Sequence, residues 1–230
     1  MTLLETLDSA RKILKDNLPA TRTFPDNSST TFKDSEMTDW FNWAQVEVQS
    51  ILLQTHENWF VTSTAIDIIS GQEAYSLPTD LINIIRVEDN NNTSAPLEIY
   101  PMSFNDKDKY TTDVTYNVTG ITDINHYALR GDSILFRPRP TKAGTCAVRL
   151  YYSRQVEART SASSCSTIPN QHHELVMWGV VENGLIKQEA SAEAQAVILG
   201  RRNRLISNLM RTADNRQVQK SRQVKRKKRS

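Results

Sequence analysis

The sequence predicts an α+β protein: a helical bundle with an inserted antiparallel β module, a small sandwich or barrel, and an extended C-terminal arm. Three observations predict it. Apolar residues recur at helical spacing from Leu3 to Trp59 and again from Ile168 to Leu209. Between Phe60 and Arg154 the period switches to two, punctuated by Gly, Pro and Asn turns. The chain then closes on a basic run without an acid. The expected boundaries are 1–59 for the first helices, 60–154 for the β module, 155–213 for a helical hairpin and 214–230 for the arm.

Thr2-Leu-Leu-Glu5 is a capping box, in which each side chain satisfies an orphan N–H at a helix start. Leu3, Leu7, Ala10, Leu14 and Leu18 follow as one stripe, predicting a helix over 3–18 that Pro19 stops. Residues 20–34 are rich in Thr, Ser and Asn and read as a loop. Ser35 is placed to cap a second helix over 36–57, with acids in its first turn. Its apolar face carries Trp40, Trp43, Ala44, Val48, Ile51 and Leu52. Tryptophan on a helix face is most often core, and it is also enriched at interface hot spots. Trp40, Trp43 and Trp178 are therefore the subunit-interface candidates.

Short strands are expected at 60–69, 75–77, 81–88, 97–100, 116–118, 125–130, 133–137 and 145–154. Pro78 breaks the ladder because it lacks an N–H. Residues 103–110 read as one or two turns of helix. Arg130-Gly-Asp-Ser133 resembles an adhesion tripeptide, but Gly131-Asp132 is the turn that a hairpin between HYAL and SILF requires, and the hairpin reading is the stronger.

Ser161–Thr167 is a polar linker. Ile168-Pro169 opens a third helix, with Leu175, Trp178, Val181 or Glu182, Leu185 and Ile186 on its stripe, ending near Glu189. A fourth amphipathic helix is expected from Ser191 to about Thr212. The remainder is polar and basic, and is expected to order only on a partner. The eight basic side chains of the last fifteen residues (Arg216, Lys220, Arg222, Lys225, Arg226, Lys227, Lys228 and Arg229) leave twenty against all 26 acidic ones elsewhere, a net of −6. An acidic body with a basic end seeks an anionic partner at that end.

No chemistry is legible. The two cysteines do not make a disulfide framework or a metal knuckle. His172, His173 and Glu174 are consecutive, so on a helix they fan apart and cannot share one ion; they read as solvated first-turn residues. None of the seven glycines forms a phosphate loop. No catalytic residue, cofactor or metal is expected. The N-terminus, with acids among its leucines, does not read as a signal peptide, and no apolar run reaches the ~18 residues of a membrane span. A cytoplasmic site of synthesis is expected, which leaves the four Asn-X-Ser/Thr sequons unmodified.

GQEAYSLPTDLINIIRV (71–87), GDSILFRPRPTKAGTCAVRLYYSR (131–154) and the helices opened by Ile168-Pro169 occur in the same order in one phage family. Over about 36–212 the sequence resembles the head-to-tail adaptors, or portal adaptors, of tailed bacteriophages. The resemblance implies a structural virion protein without enzymatic activity, made in the host cytoplasm and placed at the portal vertex. It implies a ring, usually of twelve copies, beneath the portal protein. Helices pack subunit to subunit around the DNA channel, C-terminal extensions run along the portal, and the β module faces a tail or nozzle protein. On this reading residues 216–229 are the portal-docking arm, and Asn90, Asn91, Asn92, Asp106 and Lys107 are tail-facing loop candidates. Contact of the arm with channel DNA is an added reading. A nucleic-acid-binding protein that uses the same tail is the alternative from a different class.

Overall fold

A computed structural model describes residues 1–16, 24–25, 31–55, 58–90, 96–110, 124–164 and 166–220, the side chains of 110 and 212–220 excepted. The chain forms two compact units, Met1–Glu57 with Val156–Ser230, and Asn58–Gln155.

In the first unit, α1 (Leu3–Ile13) starts at the expected capping box: Thr2 Oγ1 accepts from the Glu5 amide, and the Thr2 amide donates to Glu5 Oε2 at 2.8 Å. Its next free amides, Leu3 and Leu4, donate to the carbonyls of Ser164 and Ala162, so the polar linker closes the helix end. The helix stops earlier than the expected Leu18. Lys15 takes φ +58, and the amides of Lys15 and Asp16 return to the carbonyls of Lys12 and Arg11. That is a Schellman cap built on lysine instead of the usual glycine. Arg11 is fully buried beneath it, paired with Asp16 and, at 2.7 Å, with Asp34.

Helix α2 (Asp34–Thr55) begins before Ser35, which therefore lies inside the first turn and not at the cap. Met37, Phe41, Ala44, Val48 and Leu52 are buried. So are Gln45 and Gln49, because the chain around Val156 and Ser166 lies across them. Gln49 accepts from the Val156 amide at 3.0 Å, Gln45 accepts from Ser166 Oγ at 2.5 Å, and Asn42 brackets the Arg159 backbone through both its amide atoms. A segment that reads as loose in sequence is thus tied down by its backbone hydrogen bonds.

After a 3-10 turn (Asn170–His172), α3 (His173–Lys187) packs against α1, α2 and α4 (Ala192–Lys220). Being enclosed on several sides, it buries Val176, Gly179, Val180 and Gly184 as well as the expected Leu175, Trp178 and Val181, while Ile186 is 58% exposed. A methyl group at Gly179 would sit 2.7 Å from Ala44 Cβ, so only glycine permits this approach of α3 to α2. Helix α4 continues to Lys220, past the end expected near Thr212. At 29 residues it is about 43 Å long.

The second unit holds seven strands: β1 (Val61–Ile68), β2 (Ala74–Ser76), β3 (Leu81–Asp89), β4 (Leu97–Pro101), β5 (His126–Arg130), β6 (Ser133–Arg137) and β7 (Gly144–Arg154). They form one sheet in the order β1-β7-β3-β4-β5-β6-β2. Its edges, β1 and β2, are consecutive in sequence. A flat sheet would hold them roughly 29 Å apart, but the link Ile69–Glu73 reaches at most ~21 Å, so the sheet curls until it nearly closes. Tyr75 ties the edges together, its hydroxyl accepting from the Ile69 amide at 3.1 Å. The inside is apolar, with Ile66, Val87, Ile99, Ile134, Phe136 and Leu150 at its centre.

One expectation needs correction. The sheet is not wholly antiparallel, since β4 and β5 pair in parallel through Tyr100–His126 and Pro101–Tyr127. Parallel neighbours need a long connection, and residues 102–125 supply it, including a 3-10 segment, Phe104–Tyr110. The strand expected at 116–118 lies outside the described residues. The β5–β6 hairpin is as expected, with Gly131 at φ +55 in a two-residue turn.

Candidate interaction surfaces

The three tryptophans have different surroundings. Trp40 is buried and meets Phe32 edge-on at 6.0 Å. Trp178 is also buried: its indole N–H donates to Glu174 Oε1 at 3.1 Å, and the Arg201 guanidinium lies 4.6 Å from the ring centroid. Trp43 points outward from α2 and is 63% exposed, with Val46 exposed one turn away.

Helix α4 is held to α3 by Ile198, Arg202, Leu205 and Leu209, which recur at helical spacing and are the less exposed positions. Arg202 is buried and pairs with Glu182 of α3 and Glu47 of α2. Arg201 pairs with Glu174 at 3.1 Å. These contacts anchor α4 before Arg211, and the helix runs on to Lys220. Arg216 and Lys220 lie on that extension; Arg222, Lys225, Arg226, Lys227, Lys228 and Arg229 lie outside the described residues.

His173 is buried, contrary to the solvated reading. The Met1 amino group donates to Nδ1 at 2.9 Å, and Nε2–H donates to the Ile168 carbonyl at 2.7 Å, which fixes a neutral ring. Burial pushes its pKa below the ordinary imidazole value; the Ile168 hydrogen bond acts the other way, and the Met1 amino charge lowers it further. The unfolded chain then takes up a proton near pH 6.5 that the folded ring refuses, so stability rises with pH across this window. Thermal melts should show a midpoint that falls from about pH 7 toward about pH 5, and more steeply in the wild type than in His173→Gln.

On the β unit, the loop candidates fall at two places. Asn90 follows β3 and is tied to β7, its amide donating to the Ala147 carbonyl at 2.8 Å; Asn91 and Asn92 lie outside the described residues. Asp106 and Lys107 sit on the 3-10 segment. Lys109 pairs with Asp106 at 2.6 Å, while Lys107 and Arg130 lie 5.0 and 5.9 Å from the Phe104 ring centroid. Two cations, Lys107 and Arg130, thus flank one aromatic ring. At the β2–β6 end, Glu73 joins Arg137 at 2.5 Å and Arg139 at 3.1 Å; the Arg137 hydrogen bond chiefly holds its carboxyl below the usual range.

Sequence reasoning placed Val197 and Arg201–Arg204 on the amphipathic α4 but gave them no part in a surface. One signal was legible: α2 has four acids and no Lys or Arg, whereas α4 has six basic residues and two acids. Among the described residues, no group of three or more His, Cys, Asp or Glu is arranged to hold a metal ion, and no helix is long and apolar enough to cross a membrane.

The described surface thus includes an outward tryptophan on α2, a long helix α4 rich in Arg and a curled sheet with charged loops. Comparison with curated proteins gives no match. A family model described as SU10 adaptor protein matches residues 1–226, which takes in both units and most of the basic end. The chain belongs to the SU10 adaptor family of phage structural proteins.

Proposed function

We propose that this protein is the head-to-tail adaptor of a tailed phage, forming a ring of twelve copies beneath the portal that joins capsid to tail and extends the DNA channel. The family match across residues 1–226 carries this reading. The helical unit makes the subunit contacts, and a ring needs two different complementary faces on each copy. The β unit turns its loops, including Asn90–Asn92 and Asp106–Lys107, toward a tail or nozzle protein. The basic end, from Arg216 to Arg229, straps onto an anionic surface of the portal. The net charge of −6 on the rest of the chain keeps channel DNA from adhering where those acids face it. The work is done by shape and attachment, without catalysis.

Mixing the purified protein with its portal tests this: electron microscopy should show a ring capping the portal, and a protein that stays monomeric and unbound contradicts it. The concentration of basic residues at the C-terminus favours one second reading, nucleic-acid binding. That reading expects DNA affinity to fall with salt with a log–log slope of roughly −7 if eight phosphates are neutralised, together with no portal association.

A further inference from the structure

We infer that the outward face of α2 on one copy docks on the outward face of α4 on the next copy. This deepens the ring proposed above and rests on it. Asp39, Trp43, Val46 and Ser50 share one stripe of α2, and all are exposed. Ala196, Val197, Gly200, Arg204, Ser207 and Arg211 share the side of α4 opposite its α3-facing residues, and are also exposed. Each stripe centres on an apolar side chain held in water, Trp43 at 63% and Val197 at 70% exposure. A Cβ at Gly200 would meet nothing within 4 Å, which leaves room for an indole to lie across α4.

Charge decides the occupant. Helix α2 has only acids among its ionisable side chains, and the part of α4 beyond Gly200 is predominantly basic. Arg201 and Arg202 already make ion pairs within their own chain. The side chains of Asp39, Arg204 and Arg211 make no ion pair or hydrogen bond with the described residues. The Asp39 carboxylate beside an exposed Trp on one helix thus complements the Arg204 and Arg211 guanidiniums beside an exposed Val on another. Glu47–Arg202 already makes the same acid-to-arginine contact between α2 and α4 inside one chain. Because the two faces differ, the contact is heterologous and repeats from copy to copy, as a ring requires. Trp43 is the buried aromatic anchor of this contact, and the charges set its partner and direction.

Full-length Asp39→Lys and Arg204→Glu/Arg211→Glu proteins, mixed with portal and imaged, test this. Each change is on the surface, and unchanged thermal midpoints confirm folding. Either variant alone should need at least roughly tenfold more protein to complete a ring than the wild type. An equimolar mixture should recover ring formation when the two variants alternate. The introduced lysine then meets the introduced glutamates at one junction, and the native Asp39 meets the native Arg204 and Arg211 at the next, so every junction is again of opposite charge. Trp43→Ser should weaken assembly and resist rescue by either variant. Variants that assemble like the wild type, a mixture that fails to recover, or a map that places Trp43 against the portal overturns the α2–α4 contact alone. A wild-type protein that forms no ring on the portal overturns the adaptor reading and this contact with it.

Discussion

Removing residues 216–230 is expected to abolish stable association with the portal while leaving both units folded. The deletion takes away eight basic side chains and no acid. It spares Arg202, Leu205 and Leu209, which hold α4 to the body, so the thermal midpoint should stay close to that of the wild type. A loss of at least ~100-fold in affinity, about 2.7 kcal/mol, is expected by a binding assay on immobilised portal. The affinity of the intact protein should weaken as salt rises, because the contact is charge-driven and exposed charges are screened. Undiminished binding by the truncated protein refutes the strap. Equal loss of binding to portal and to duplex DNA would show that the segment serves both.

The largest expected stability effect lies at Arg11. This side chain is 1% exposed and is held between Asp16 and Asp34, the latter with no exposed surface. Truncation to Ala removes the guanidinium from two buried carboxylates. Breaking such a pair from one side costs about 3–5 kcal/mol, a large share of the roughly 5–15 kcal/mol that folds a protein. The midpoint of thermal unfolding should fall by roughly 10 °C. Arg11→Met with Asp34→Leu should recover much of the loss, since replacing the deeper pair with apolar groups removes the most enclosed uncompensated charge along with the salt bridge. A single Arg11→Ala protein as stable as the wild type would show that the pair is energetically idle.

Most elements follow from local signals in the sequence. The Thr2–Glu5 box sets the start of α1, the switch from period 3.6 to 2 at Phe60 sets the start of the sheet, and Gly131-Asp132 sets the β5–β6 hairpin. What local signals do not carry is contact across the chain. The early end of α1 depends on Lys15 accepting a positive φ with Arg11 anchored by Asp34, which is 23 residues away. The parallel pairing of β4 with β5 has no local mark, because its two strands are joined through residues 102–125. His173 reads as exposed from its neighbours in sequence and is buried by the backbone of Ile168 and the N-terminus of the chain. Trp40, Trp43 and Trp178 share a residue type, and only tertiary packing separates the two enclosed rings from the outward one. The basic end was visible from composition alone.

The most direct measurement is a subunit-resolution reconstruction of the portal vertex in intact particles. It is expected to show this chain as a twelve-membered ring between portal and tail, α2 against the neighbour's α4, the segment after Lys220 ordered on the portal, and the β loops toward the tail. A vertex in which no density accommodates the two units, or in which they sit away from the portal, contradicts the account.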